Sequence, residues 1–174
     1  MKLKSLAPAL LALLILSGCS APNASQGADQ IGDTEQMFAE MMIPHHEQAI
    51  EMADMVIERS ENPEIIALAD EIKLAQEPEI ELMQTWAGDH AGHGGHSDMA
   101  GMLSEAELDQ LRATSGTEFE KLFLEAMIKH HEGALEMLSM LDGTQNSIAK
   151  TLREQIDSAQ RSEIAKMKEL LQNY

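Results

Sequence analysis

Apolar residues recur at intervals of three and four along most of the chain, the period of an amphipathic α-helix. Phe38, Met42, Ala49, Ala53 and Val56 share one stripe. With Asp33 as N-cap, that stripe predicts a helix over about 34–60. Asn62-Pro63 supplies a cap followed by proline in the first turn. The pattern Ile65, Leu68, Ala69, Ile72, Ala75, Gln76, Glu79, Met83 and Trp86 then predicts a second helix to about residue 86, with Pro78 as a kink. Ser104 and Glu107 are spaced as a capping box for a short helix ending near Thr114. Thr117 and Glu120 are spaced as another, opening a helix to about Leu141 with Gly143 as its C-terminal cap. A last helix is expected over about 147–172. The pattern therefore predicts an all-α domain.

A repeat organises these helices. Residues 38–55 read FAEMMIPHHEQAIEMADM and residues 123–140 read FLEAMIKHHEGALEMLSM. The helices that follow also match, with Ile72, Ala75, Gln76, Glu79, Ile80 and Met83 recurring as Ile156, Ala159, Gln160, Glu163, Ile164 and Met167. Each repeat reads as a helical hairpin that cannot bury its apolar face alone. Two of them predict a four-helix bundle with approximate twofold symmetry and a short extra helix in the connection.

Two polar features interrupt the apolar faces. His45 and His46 flank the first stripe, so both can lean into the core, while Glu47 points outward. Met41 and Met52 lie near His45, and Met42 is one turn before His46. Gln76 and Glu79 sit on the apolar face of the second helix, as Gln160 and Glu163 do on the last. His46 lies fifteen residues before the hairpin turn and Gln76 fifteen after it. Both therefore stand roughly 22 Å from the turn, and Gln76 and Glu79 are expected to face the histidines. A buried carboxylate needs a partner.

Imidazole binds copper, zinc and nickel, and thioether sulfur selects Cu(I). Paired histidines beside methionines thus point to copper, with Glu79 and Glu163 orienting the rings or serving as ligands for a harder ion. The competing reading is a hydrogen-bonded core network in which methionine only fills gaps. A second candidate site is the loop His90-x-x-His93-x-x-His96-x-x-Met99-x-x-Met102, five soft-metal ligands at a spacing of three among glycines. Its alternative is a low-complexity linker.

Composition narrows the classes. The 174-residue chain has 12 Lys+Arg against 30 Asp+Glu, a formal charge of −18, which disfavours nucleic acid. Lys2, Lys4 and the apolar run Leu6–Leu16 read as an export signal too short to span a bilayer comfortably. Leu16-Ser17-Gly18-Cys19 resembles a bacterial lipobox, and Cys19 is the sole cysteine. Residues 1–18 are thus expected to be a lipoprotein signal peptide, 19–33 a lipidated Cys19 and tether, and 34–174 the helical domain with a His/Gly/Met-rich loop at 88–103. The expected place is the bacterial cell envelope or periplasm, anchored to membrane by lipid.

Met-Ile-x-His-His-Glu-x-Ala, the later Ala-Gln-x-x-Glu-Ile-x-x-Met and the second His-His-Glu hairpin resemble the DUF 305 family over about residues 34–172. The resemblance implies a ferritin-like bundle and a role like that of CopM-like periplasmic copper-binding proteins. By motif it implies Met42, His45, His46, Met52, Met127, His130, His131 and Met137 as metal residues. The repeats differ where Pro44 becomes Lys129 and Gln48 becomes Gly133, so the two sites are expected to differ in affinity.

The function expected is non-catalytic binding of copper, as Cu(I), Cu(II) or both, or of another soft metal, for sequestration, tolerance or transfer. A second copy of the chain and a copper-handling protein are the partners left open. A di-iron oxidoreductase would want Glu-x-x-His pairs, and no glutamate here has a histidine three residues on. A structural or partner-binding bundle without physiological metal is the remaining alternative.

Overall fold

The computed structural model describes residues 30–87 and 99–174. These contain five α-helices and no strand: α1 Asp33–Arg59, α2 Pro63–Gln84, α3 Glu105–Ala113, α4 Gly116–Met137 and α5 Ser147–Leu170. Single 3₁₀ turns, Leu138–Leu141 and Leu171–Asn173, extend α4 and α5. None of the described helices is long and apolar enough to cross a membrane. The signal peptide and Cys19 lie outside the described residues.

Local chemistry sets the helix ends. Asn62 accepts from the Glu64 amide at 3.0 Å and Pro63 opens α2. The Ser104–Glu107 box forms as expected, with Ser104 N–H donating to Glu107 at 2.7 Å. Three expected boundaries are corrected. Gly32, not Asp33, is the N-cap of α1, because Glu35 reaches back to accept from the Gly32 amide at 3.0 Å. The Thr117–Glu120 box is absent, and α4 starts at Gly116 after Ser115. Glu120 is instead drawn to the ends of two other elements, accepting from Ser60 Oγ at 2.5 Å and the Tyr174 hydroxyl at 2.8 Å. Finally, α4 tightens into its 3₁₀ turn after Met137, before Gly143 turns the chain at φ +83°. Both α1 and α2 run through an internal proline, Pro44 and Pro78.

The four long helices pair in a closed cycle: α1 with α2, α2 with α5, α5 with α4 and α4 with α1. Their apolar faces form two separate clusters. One holds Met52, Ile65, Ile72, Phe119, Phe123, Met127 and Met167. The other holds Phe38, Met42, Met83, Trp86, Met137 and Ile156. On every long helix the break between clusters falls on polar residues: His45 and His46 on α1, Gln76 and Glu79 on α2, His130 and His131 on α4, Gln160 and Glu163 on α5. The core is therefore apolar at both ends and polar in a layer across its middle.

Candidate metal centre

All four histidines of this layer are completely buried, with exposures of 0%. The α1 and α4 rings meet, with the His45 and His130 centroids 3.9 Å apart and tilted by 42°. His130 and His131 are 6.3 Å apart. A glutamate from the neighbouring helix of each hairpin reaches one ring. His46 Nε2 lies 2.8 Å from Glu79 Oε2, and His131 Nε2 lies 2.7 Å from Glu163 Oε2. The equal-height match from the sequence is Gln76, which makes no hydrogen bond; the partner of His46 is Glu79, three residues further along the same face of α2.

Burial sets the protonation of the layer. It pushes His46 down to about 3, aided by the nearby His131 and opposed by Glu163. It pushes His45 down to about 4, against the hydrogen bond to Ala100. His130 is held well below the ordinary imidazole value by burial and by the three histidines around it. Burial, reinforced by Glu163, raises Glu79 to about 7. His46 therefore stays neutral while Glu79 keeps its proton up to near neutrality, so the two do not form a full ion pair there. Neutral imidazole is the form that binds metal.

His45 is anchored differently. Its Nε2 lies 3.0 Å from the carbonyl oxygen of Ala100, which places the donor at Nε2. The segment 99–103 crosses the α1–α4 seam as a short strap. Gln48 grips it at both backbone groups of Leu103, donating to the carbonyl at 2.9 Å and accepting from the amide at 2.8 Å. Gly133 makes room beneath it, since a Cβ there would stand 2.0 Å from Ala100 O. Gly101, at φ +80°, completes the close approach: a Cβ on it would meet the carbonyls of Lys129 and His130 at 2.7 and 2.8 Å. The Gln48/Gly133 difference between the repeats thus has a structural cause. One residue holds the strap and the other lets it in. Ala100, Gln48 and Gly133 were not marked as site residues by the sequence, because a backbone acceptor carries no side-chain signature.

After these anchors, five ring nitrogens remain buried without a partner: Nδ1 of His45, His46 and His131, and both nitrogens of His130. Both amide atoms of Gln76 and of Gln160 are also unpartnered. Buried polar atoms rarely stay unpaired, because each costs about 1–3 kcal/mol. The layer thus holds buried ring nitrogens that no protein group uses, three of them on rings anchored through Nε2 and two on the unanchored ring of His130. Among the described residues no three His, Cys, Asp or Glu side chains are arranged to hold an ion. An ion here would need donors beyond those groups, and the four motif methionines are buried in the apolar clusters on either side of the layer. Met42 and Met137 lie in one apolar cluster, Met52 and Met127 in the other. This donor set fits a soft ion that accepts low coordination. Of the loop residues, Met99 packs half-buried against the core and Met102 is half-buried. His90, His93 and His96 lie outside the described residues.

Fold and layer together define an all-helical protein with a buried layer of four histidines. The model of the domain of unknown function DUF305 matches residues 35–171, and the chain belongs to this family. A DUF305 fragment from Deinococcus radiodurans is 34% identical, with a TM-score of 0.75 over 83% of this chain and 99% of that one. CopM in its Cu(I)-bound form is 34% identical, with a TM-score of 0.68 over 80% and 96%. CopM has also been solved bound to Cu(II) and to silver. A Streptomyces coelicolor DUF305 protein, inferred to be secreted, is 28% identical, with a TM-score of 0.66 over 80% and 93%. No curated protein matches.

Proposed function

We propose that this protein is an exported, lipid-anchored copper-binding protein that holds Cu(I) in the buried layer, to sequester it or pass it on. The ligands are drawn from His45, His46, His130 and His131, with Met42, Met52, Met127 and Met137 supplying sulfur from above and below. Copper is cargo here, not a catalytic group. The four long helices act as a ferritin-like bundle of two repeated hairpins, each contributing one histidine pair and one orienting glutamate.

The observation that carries this reading is the set of five buried, unpartnered ring nitrogens. A purely structural histidine would be expected to spend both nitrogens on hydrogen bonds. Here the rings spend one on an anchor, or none, and keep the other. Anchoring a ring through one nitrogen fixes the tautomer and raises the basicity of the other. The copper- and silver-bound CopM structures, about a third identical over most of the chain, support the choice of ion.

Anaerobic titration of the protein with Cu(I), against a chromophoric competing chelator, tests the reading. Changing all four histidines to alanine should abolish tight binding. Unchanged affinity in that variant would remove the layer as the site. Mass analysis of protein taken from bacterial envelopes should find a lipid-modified Cys19 as the first residue.

A further inference from the structure

A centre with fully buried rings needs a way in. The α2 and α5 helices touch only sparingly, and a groove opens between them. Pro78, Glu79 and Leu82 line it from α2; Thr151, Gln155 and Ser158 line it from α5. Glu79 belongs to both worlds. It lines the groove, its side chain is 12% exposed, and its Oε2 lies 2.8 Å from Nε2 of His46, which is 0% exposed. Glu154 also lines the groove, and no lining residue is basic.

The corresponding place in the other repeat is built differently. By the sequence match, Leu82 corresponds to Lys166 and Gln155 to Glu71. Those two residues form an ion pair, Lys166 Nζ to Glu71 at 2.7 Å, that ties α5 to α2 one helical turn from Glu163. An ammonium group thus stands at the position that Leu82 takes in the groove. At the groove the same two positions are uncharged and unlinked.

We infer that the α2–α5 groove is the route by which the ion reaches the buried layer, with Glu79 as the positioning carboxylate that takes it from water and delivers it to the α1 histidines. This rests on the copper-binding reading above. The route is single-sided: the Glu163 side is barred by Lys166 and Glu71. A carboxylate at the base of a mouth that carries no basic residue concentrates cations by its field, and an ammonium at the mouth opposes them.

The test copies one mouth onto the other. L82K/Q155E installs the ion pair of the Glu163 side across the groove, and K166L/E71Q removes it from its native place. Anaerobic stopped-flow mixing of the full chain with Cu(I), supplied as its acetonitrile complex, reads the association rate through ultraviolet charge-transfer absorption. A competition titration on the same samples reads affinity, and circular dichroism reads helical content. L82K/Q155E should bind about tenfold more slowly or worse, with affinity held within about threefold. K166L/E71Q, altered only at solvent-facing positions, should bind faster than the parent. Either variant binding at the parental rate with helices intact overturns the route, as does an affinity loss without a rate change. Failure of the parent protein to take up Cu(I) would instead sink the copper reading itself.

Discussion

The carbonyl oxygen of Ala100 rests against Gly133, at a place where a single added methyl group would stand 2.0 Å away, and from there it meets Nε2 of His45 at 3.0 Å. Glycine at 133 is thus part of how a histidine on another helix is aimed. Gly133→Ala should push the strap off the seam, since the opposing atoms are backbone and cannot rotate away. A loss of about 1–3 kcal/mol is expected from overpacking, measured by urea unfolding. Gln48→Ala should cost a similar amount, about 1–3 kcal/mol, by orphaning both backbone groups of Leu103. Because both changes act on one strap, the double variant should lose less than the sum of the two. Strict additivity would show that they act separately.

Glu79→Ala and Glu163→Ala each release one imidazole from its anchor. Loss of such an orienting partner should weaken Cu(I) binding about 10–100-fold, with the helices preserved. Competition titration beside circular dichroism separates the two effects. Affinity equal to the parent in both variants would show that the carboxylates do not orient the rings.

Replacing Met42, Met52, Met127 and Met137 by leucine keeps volume and apolarity, so each site should lose less than about 1.5 kcal/mol of stability. Cu(I) affinity should fall by about tenfold or more while Cu(II) affinity stays within about threefold, because thioether favours the monovalent ion. Equal losses for both oxidation states would argue that sulfur does not touch the ion.

Acid should weaken the metal-free protein. His45, held near 4, and His46, near 3, stay neutral in the native state through a range where an unfolded chain, with imidazoles at 6.5, takes up protons. His130 is displaced in the same direction. The stability these groups contribute is full above about pH 6.5 and is lost as pH falls toward 4. Glu79, raised to about 7 from 4.5, works the other way, since the native state keeps its proton in that window. Three imidazoles outnumber one carboxyl, and each unmatched proton is worth about 1.4 kcal/mol per pH unit. Urea midpoints should therefore drop from pH 7 to 5. A flat or rising series would mean the rings are not held neutral.

The helices and the histidine layer were legible because they rest on short-range rules. Period 3.6 places His45 and His46 beside the apolar stripe, and equal counts from the turn bring Gln76 level with His46, with Glu79, its actual partner, one helical turn away on the same face. Side chains set by helix geometry can be placed by arithmetic. The strap could not be, because Ala100 acts through its carbonyl oxygen and shows nothing of this in its identity. The sole hint was Gly133 standing where the first repeat has Gln48. The Thr117–Glu120 box failed for a related reason: Ser60 and Tyr174, far away in sequence, compete for Glu120.

The chain holds a single tryptophan, and Trp86 is buried at 6% exposure in the same apolar cluster as Met42 and Met137. Its fluorescence therefore reports on one flank of the layer with no label attached. The emission should be blue-shifted at rest, and a change on adding Cu(I) would register repacking on the side of Met42 and Met137. Silence, with binding established by titration, would leave the flank of Met52 and Met127 as the one that responds.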